Sequence, residues 1–207
     1  MLSTARALPK SWMQGFVGTL AGLLTGTEAS DPSRRFIPID EAMEWAALAA
    51  RATHDRGNKL IFIGNGGSAG TASHMAADYS KNANLRALAM NDGSMLTCLG
   101  NDYGYEHVFA KQIEFFGRSG DLLVALSASG RSANILNAVT AARGMDCTVM
   151  TLTGFSPDNP LRGMGDMNFF LAADSYVFVE VGHMALCHAI LEYCIERWGN
   201  GAAGPRR

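Results

Sequence analysis

Charge is scarce in this sequence. Only 17% of its 207 residues are Asp, Glu, Lys or Arg, against about 25% in an ordinary soluble domain, so part of the surface is expected to face another subunit instead of water. Basic residues are not in excess either: the net charge of −2 excludes the positive stripe that a nucleic-acid binder needs. No window approaches about 18 uninterrupted apolar residues, which argues against a membrane span. The four cysteines, Cys98, Cys147, Cys187 and Cys194, lie in apolar runs and form no C-x-x-C pair. Buried, reduced thiols in a cytoplasmic protein are expected, and thiolate metal ligation is not. Between Met1 and Lys10 no sustained apolar stretch leads to a small-residue cleavage site, so an export signal is not expected.

What is present is a chain long enough for one domain with a sizeable core, burying roughly 70% of its unfolded surface. Five short apolar runs, Lys59–Ile63, Arg86–Met90, Leu122–Leu126, Cys147–Leu152 and Asn168–Leu171, are bounded by Gly, Asn, Ser or Asp and read as buried strands. Helical stretches fall between them at Ala69–Lys81, Tyr105–Phe116 and Ser132–Arg143. Such alternation predicts an α/β fold, a doubly wound parallel sheet with helices on both faces. Two helices, Trp12–Thr25 and Asp40–Arg56, precede the first strand, and a long one, Tyr176–Trp198, closes the chain. The expected organisation is an N-terminal helical segment and connector (1–39), the α/β domain (40–198) and a flexible tail (199–207). Gly154–Asp166, with two prolines and three glycines after Gly154 itself is counted, reads as an unstructured loop.

Two loops at strand ends have the chemistry of an anion site. Gly64-Asn65-Gly66-Gly67-Ser68 leads from the first strand into a helix, where glycines let backbone N–H groups turn toward a ligand at the positive helix end. The same residues satisfy G-x-G-x-x-A, but a dinucleotide site also needs an acid about 20 residues on. Asp92 comes 28 residues after Gly64, a poor match. The third strand ends in Ser127-Ala128-Ser129-Gly130-Arg131-Ser132, whose hydroxyls and free N–H groups suit a phosphate monoester. The competing reading is that Ser132 only caps its helix and the other serines satisfy turn carbonyls. Both loops lie at the carboxyl ends of strands, where open α/β sheets bind ligands.

Together with His74 and Gly100-Asn101-Asp102-Tyr103-Gly104, these motifs resemble the sugar isomerase (SIS) domain family, and within it the phosphoheptose isomerases. The likeness runs from about Asp40 to Trp198, with the motifs in the family's order. It implies a five-stranded sheet in flavodoxin-like order 2-1-3-4-5, a homotetramer with sites between subunits, and isomerisation of sedoheptulose 7-phosphate to D-glycero-D-manno-heptose 7-phosphate. Carried over residue by residue, Ser68, Ser127, Ser129 and Ser132, with the backbone of Gly66 and Gly67, would bind phosphate, and Asn65 and Asp102 would line the sugar cleft. The family often has Thr where this chain has Ala128, so one hydroxyl is missing.

The resemblance also implies a zinc and acid–base centre at His74, Asp78, Glu180 and His188. His74 and Asp78 are four apart on one helix and share a face; Glu180 and His188, eight apart, are about 80° off register and can converge on one target. Two histidines and two carboxylates would complete a tetrahedral Zn²⁺ shell. Here Asp78 replaces the family's usual Glu and Glu180 its usual Gln, which shortens one side chain and adds a charge. Asp78 and His188 are the candidates for the proton transfer that ketose–aldose isomerisation requires, with zinc polarising the carbonyl. An alternative E-x-x-H metal pair joins Glu180 to His183, while His54 and His107 look ordinary. Arg86, Asp92, Asp102 and Glu106 could bind many polyols, and serine loops do not count carbons. A non-catalytic SIS adaptor, or a sugar-phosphate sensor, is the rival function; the adaptor relative lacks a histidine at the position of His188, so its presence here favours catalysis.

Overall fold

The computed structural model describes residues 9–199, so residues 1–8, and the expected tail from residue 200 onward, lie outside the described residues. In chain order the elements are α1 (Trp12–Thr25), β1 (Glu28–Ser30), β2 (Phe36–Ile37), α2 (Ile39–Asp55), β3 (Leu60–Gly64), α3 (Gly67–Ala83), β4 (Ala87–Ala89), α4 (Gly93–Tyr103), α5 (Val108–Phe116), β5 (Leu122–Ser127), α6 (Ala133–Gly144), β6 (Thr148–Gly154), β7 (Met167–Leu171) and α7 (Tyr176–Trp198). Short 3-10 turns occupy Tyr105–His107 and Pro160–Gly163. The second of these gives local structure to a stretch whose composition reads as a plain loop; Asn159 caps it by accepting from the Arg162 N–H.

Five parallel strands run β4-β3-β5-β6-β7, the flavodoxin-like order. Among the described residues the sheet nevertheless has seven strands, not five. β1 pairs antiparallel with β7, and β2 with β1. Both added strands fall in the stretch read as a connector, where strands of three and two residues are too short to show alternation. Their pairing comes from tertiary structure: β1 covers the open edge of β7, and Asp31 closes the hairpin by accepting from the N–H groups of Ser33 and Arg35.

Apolar runs without alternation are what a sheet buried on both faces requires. Along β3, Leu60 and Phe62 face a core shared with α2, α3 and α7, while Ile61 and Ile63 face one shared with α5 and α6. The small face Ala42, Ala46, Ala47 and Ala50 lets α2 pack closely beneath α7. α4 was hidden in the sequence by Gly93 and Gly100. It is started by Asp92, whose carboxylate accepts from the Met95 N–H at 2.8 Å, so the acid weighed for a dinucleotide is a helix cap.

α7 is long and apolar enough to cross a membrane by length and composition, a property that the absence of an uninterrupted run conceals. About half of that stretch faces the interior, with Val179, Leu186, Cys187, Ile190 and Leu191 buried, while Tyr176, Val177 and Val181 are exposed. Cys147, Cys187 and Cys194 are buried free thiols as expected, with burial pushing Cys187 and Cys194 up to about 12. Cys98 is instead exposed, on α4.

At the end of the sheet opposite the loops, Asp121 joins the starts of β3 and β5. Fully buried, it accepts from Lys59 Nζ at 2.6 Å and from the Lys59 and Arg118 N–H groups and the Asn58 amide. Burial pushes its carboxyl up, but the Lys59 ammonium and these donors outweigh it and hold the pKa below the ordinary value. Asp121 therefore stabilises the fold fully above the ordinary carboxylate range and loses that contribution as pH falls through its lowered value. Asp121→Asn is expected to cost about 3 kcal/mol at neutral pH, as for breaking a buried pair. Urea denaturation checks this, and an unchanged midpoint would show that the donors find other partners.

Candidate active site

Parallel pairing aligns β3 and β5 from Leu60 beside Leu122 to Gly64 beside Leu126, so the two loops leave the sheet side by side. Between them is a cavity of about 260 Å³ lined by Asn65, Gly66, Gly67, Ser68, Leu126, Ser127, Ala128, Ser129, Ser132, Tyr176 and Glu180. All four serines expected to meet a phosphate are thus brought together. Ser132 makes no side-chain cap to α6, so the capping alternative fails for it. Ser127 and Ser129 do shape their turn, accepting from the Gly130 and Arg131 N–H groups at 3.2 and 3.3 Å, yet each hydroxyl keeps its own O–H. Ser68 and Gly67 open α3, and among the described residues their N–H groups have no backbone acceptor, whereas those of Ala69 and Gly70 bond back to the Gly66 carbonyl.

The serine loop is held from below. Gly130 takes φ of +59°, and a β-carbon there would collide with the side chain of buried Asn159; only glycine fits on both counts. The first loop is held from the side. The amides of Asn65 and Asn134 exchange hydrogen bonds of 2.9 and 2.8 Å, and Tyr105 Oη donates to Asn65 Oδ1 at 3.1 Å. Asn134, Asn159, Tyr105 and Tyr176 were not singled out in the sequence. The first two carry a weak signal as polar residues at the start of a helix and a turn that prove to be buried.

Farther along α3 and α7 the side chains of His74, Asp78 and His188 gather, with one candidate ligand atom from each within 4.8 Å of the others. Asp78 Oδ2 lies 3.4 Å from His74 Nε2 and 3.9 Å from His188 Nδ1, and the two imidazole rings are 5.3 Å apart. Tyr79 sets this register: its buried hydroxyl donates to the Cys187 carbonyl at 2.9 Å, fixing the neighbours Asp78 and His188 opposite each other. Burial pushes the Tyr79 phenol well up, so it remains a donor.

Two expected members stand elsewhere. Glu180 is not in the cluster: eight residues of helix amount to about 12 Å of rise, and its carboxylate stands in the serine cavity, where a β-carbon on Gly67 would collide with it. Asp102 is exposed at the end of α4, outside the cavity lining, accepting from Asn101 Nδ2 at 2.8 Å with Cys98 Sγ at 3.7 Å.

A family model described as the SIS domain matches residues 36–154. The chain is 41% identical over 162 residues to the phosphoheptose isomerase of Akkermansia muciniphila, covering 72% of this chain and 82% of that protein. It is 34% identical over 175 residues to that of Proteus mirabilis, covering 80% and 91%. The solved phosphoheptose isomerase of Neisseria gonorrhoeae superimposes with a TM-score of 0.78 at 31% identity, covering 89% of this chain and 97% of that one.

His183, the alternative metal ligand, is kept from such chemistry by burial. It is 1% exposed, and its Nε2 lies 3.1 Å from the Thr153 carbonyl, while the buried Nδ1 has no hydrogen-bond partner among the described residues. A proton on Nε2 satisfies that carbonyl, and burial, only partly opposed by this hydrogen bond, lowers the pKa from 6.5 to about 4, so the ring is neutral at pH 7. Between these two values only the unfolded chain takes up the proton, so stability falls as pH drops, by up to about 1.4 kcal/mol per unit. His183→Gln, which can donate to the same carbonyl, is expected to lose that part of the slope in urea denaturation from pH 7 to pH 4. A slope equal to the parent's would mean that the ring titrates alike in both states.

Proposed function

Because the chain belongs to the SIS domain family, we propose that it is a phosphosugar ketose–aldose isomerase converting sedoheptulose 7-phosphate to D-glycero-D-manno-heptose 7-phosphate. The isomerase class rests on relatives named phosphoheptose isomerase. One observation supports the length of the sugar. The serine cavity and the His74, Asp78, His188 cluster lie at two stations along α3 and α7, separated by about two turns or 12 Å of rise between Glu180 and His188. An open seven-carbon chain with bonds of about 1.5 Å zigzags to roughly 8 Å, and its phosphoester extends it further. A phosphate held by the serines would leave C1 and C2 near the cluster; a five-carbon ketose would fall about two bonds short.

In this reading Ser68, Ser127, Ser129 and Ser132 donate hydroxyls to the phosphate oxygens, helped by the N–H groups of Gly66, Gly67 and Ser68. Asn65, held by Asn134 and Tyr105, faces the sugar hydroxyls. Asp78 or His188 removes a proton from C1 and returns one to C2 as the hydroxyl proton moves from O1 to O2, passing through an enediol. Two imidazoles and one carboxylate are zinc-type donors, and three protein ligands with a fourth position open is the arrangement of a catalytic site. When bound, Zn²⁺ would polarise the carbonyl and steady the enediolate. If Asp78 is then a tight ligand, it is the weaker base and His188 carries more of the transfer.

A homotetramer fits the exposed apolar surface. α1 contains no buried residue, and its Trp12, Met13 and Val17 are exposed beside Tyr176, Val177 and Val181 of α7. A second copy of the chain would cover that face, and a phosphosugar enzyme of this kind would work in the cytoplasm. Light scattering is expected to give the mass of four chains, and a monomer at micromolar concentration would contradict this.

For the chemistry, His188→Ala is expected to abolish turnover while leaving phosphate binding intact, because it lies away from the serine loops. Asp78→Asn should lower kcat by at least about 10²-fold. Metal content must be measured with the kinetics, since loss of a ligand and loss of a base look alike in kcat. Near-parent turnover by His188→Ala on sedoheptulose 7-phosphate, or equal kcat/KM on a five-carbon ketose phosphate, would overturn the assignment.

A further inference from the structure

The serine loop rests on residues 154–163, which tie two of its carbonyls: the Gly154 N–H donates to Ala128 at 2.9 Å and the Leu161 N–H to Gly130 at 3.3 Å. Asn159 is fully buried in this support. Its Oδ1 accepts from the Arg162 N–H at 3.0 Å and its Nδ2 donates to the Ser156 carbonyl at 2.8 Å. The support is in turn tied to the β1–β2 hairpin by two arginines. Arg162, 9% exposed, lies over the Phe170 ring and donates to the Glu28 carboxylate on β1 at 2.7 Å. Arg34, in the hairpin turn, donates from Nη2 to the Asn159 carbonyl at 3.3 Å and flanks Gly163. It takes φ of +60°, which a residue with a β-carbon rarely adopts. The turn keeps it there through the Arg34 N–H bond to the Asp31 carbonyl at 2.9 Å, with the guanidinium aimed at Asn159.

We propose that Arg34 is a positioning residue for phosphate binding: from the β1–β2 hairpin it sets, through Asn159, the shape of the serine loop. This rests on the reading of the serine cavity as the phosphate site. Arg34 does not line that cavity, so it acts through what it holds. Ser127, Ser129 and Ser132 offer neutral donors, whose grip on phosphate depends on their standing in place beforehand. Freeing the Asn159 carbonyl lets residues 154–163 relax, and with them the Ala128 and Gly130 backbone between those serines. Affinity then falls by one factor for free phosphate, substrate and transition state alike, so KM rises while kcat holds. Asp158, 4.0 Å from Arg34 Nη1 and exposed, adds little to this tie. Arg162 is the buried anchor of the same support, whereas Arg34, its side chain 44% exposed, can be replaced at small cost to the fold.

The test is calorimetric titration of the full-length protein with inorganic phosphate, together with kinetics on sedoheptulose 7-phosphate. Arg34→Met keeps the stem against Gly163 and removes the donors; Arg34→Ala is the second variant should the thioether pack badly. Either is expected to bind phosphate about fivefold more weakly, the low end of ordinary coupling between two sites. KM should rise by the same factor, with kcat within about twofold of the parent's. The gap should persist in about 1 M salt, where the Debye length is about 3 Å, and Arg34→Met should add nothing to the loss caused by Asn159→Ala. Parent-like phosphate affinity in the Arg34 variants, whatever their urea midpoints, overturns the positioning role. So does a gap that vanishes in high salt, because the charge and not the loop would then be acting. In both cases loss of binding in Ser129→Ala leaves the phosphate site standing. Binding that survives Ser129→Ala, or no binding by the parent, overturns the phosphate site and the positioning role together.

Discussion

Parallel pairing of β3 with β5, in register to the last residue of β3, is the constraint from which the site follows. It makes the glycine loop and the serine loop neighbours, although 58 residues of chain, 69–126, separate them. Each strand end then feeds a helix, so the N-termini of α3 and α6 open onto one small volume. The Asn65–Asn134 amide pair links the two loops directly, and Asn159 wedges Gly130 from beneath. Such preorganisation matters because the donors are neutral: hydroxyls and amides hold a phosphate well only when they need no rearrangement to reach it.

A second constraint runs through the helices. α3 and α7 lie side by side, and the Tyr79 bond to the Cys187 carbonyl fixes their relative height. The same two helices thus carry both chemistries, polar donors at one end and the imidazole and carboxylate cluster two turns away. In the proposed reading, distance along this helix pair selects the length of the ligand, which the loops alone cannot do. The buried His183, which lies in sequence between Glu180 and His188, packs against the Thr153 carbonyl, and burial lowers its pKa to about 4.

Much of this was legible in the sequence because it depends on local chemistry. Five apolar runs, serines and glycines at strand ends, and His74 and Asp78 four apart all express local rules. The helix ends were read to within about two residues, apart from Tyr105–His107, which turns as a 3-10 segment before α5. Less legible were features imposed from a distance. β1 and β2 exist because β7 has an edge to cover; α4 persists despite two glycines because Asp92 caps it. Glu180 is grouped with His188 by the family resemblance and by helical angle. Angle says which side a residue faces, and the axial rise decides which station it reaches. Asn134 and Asn159 look like ordinary polar residues until burial shows what they hold.

The central claim is that one ligand spans both stations. A structure of the protein with sedoheptulose 7-phosphate tests it most directly. The account predicts the phosphate among Ser68, Ser127, Ser129 and Ser132, with C1 and C2 within hydrogen-bonding reach of Asp78 and His188. A phosphate bound outside the serine cavity, or a sugar whose first two carbons point away from the cluster, would contradict it.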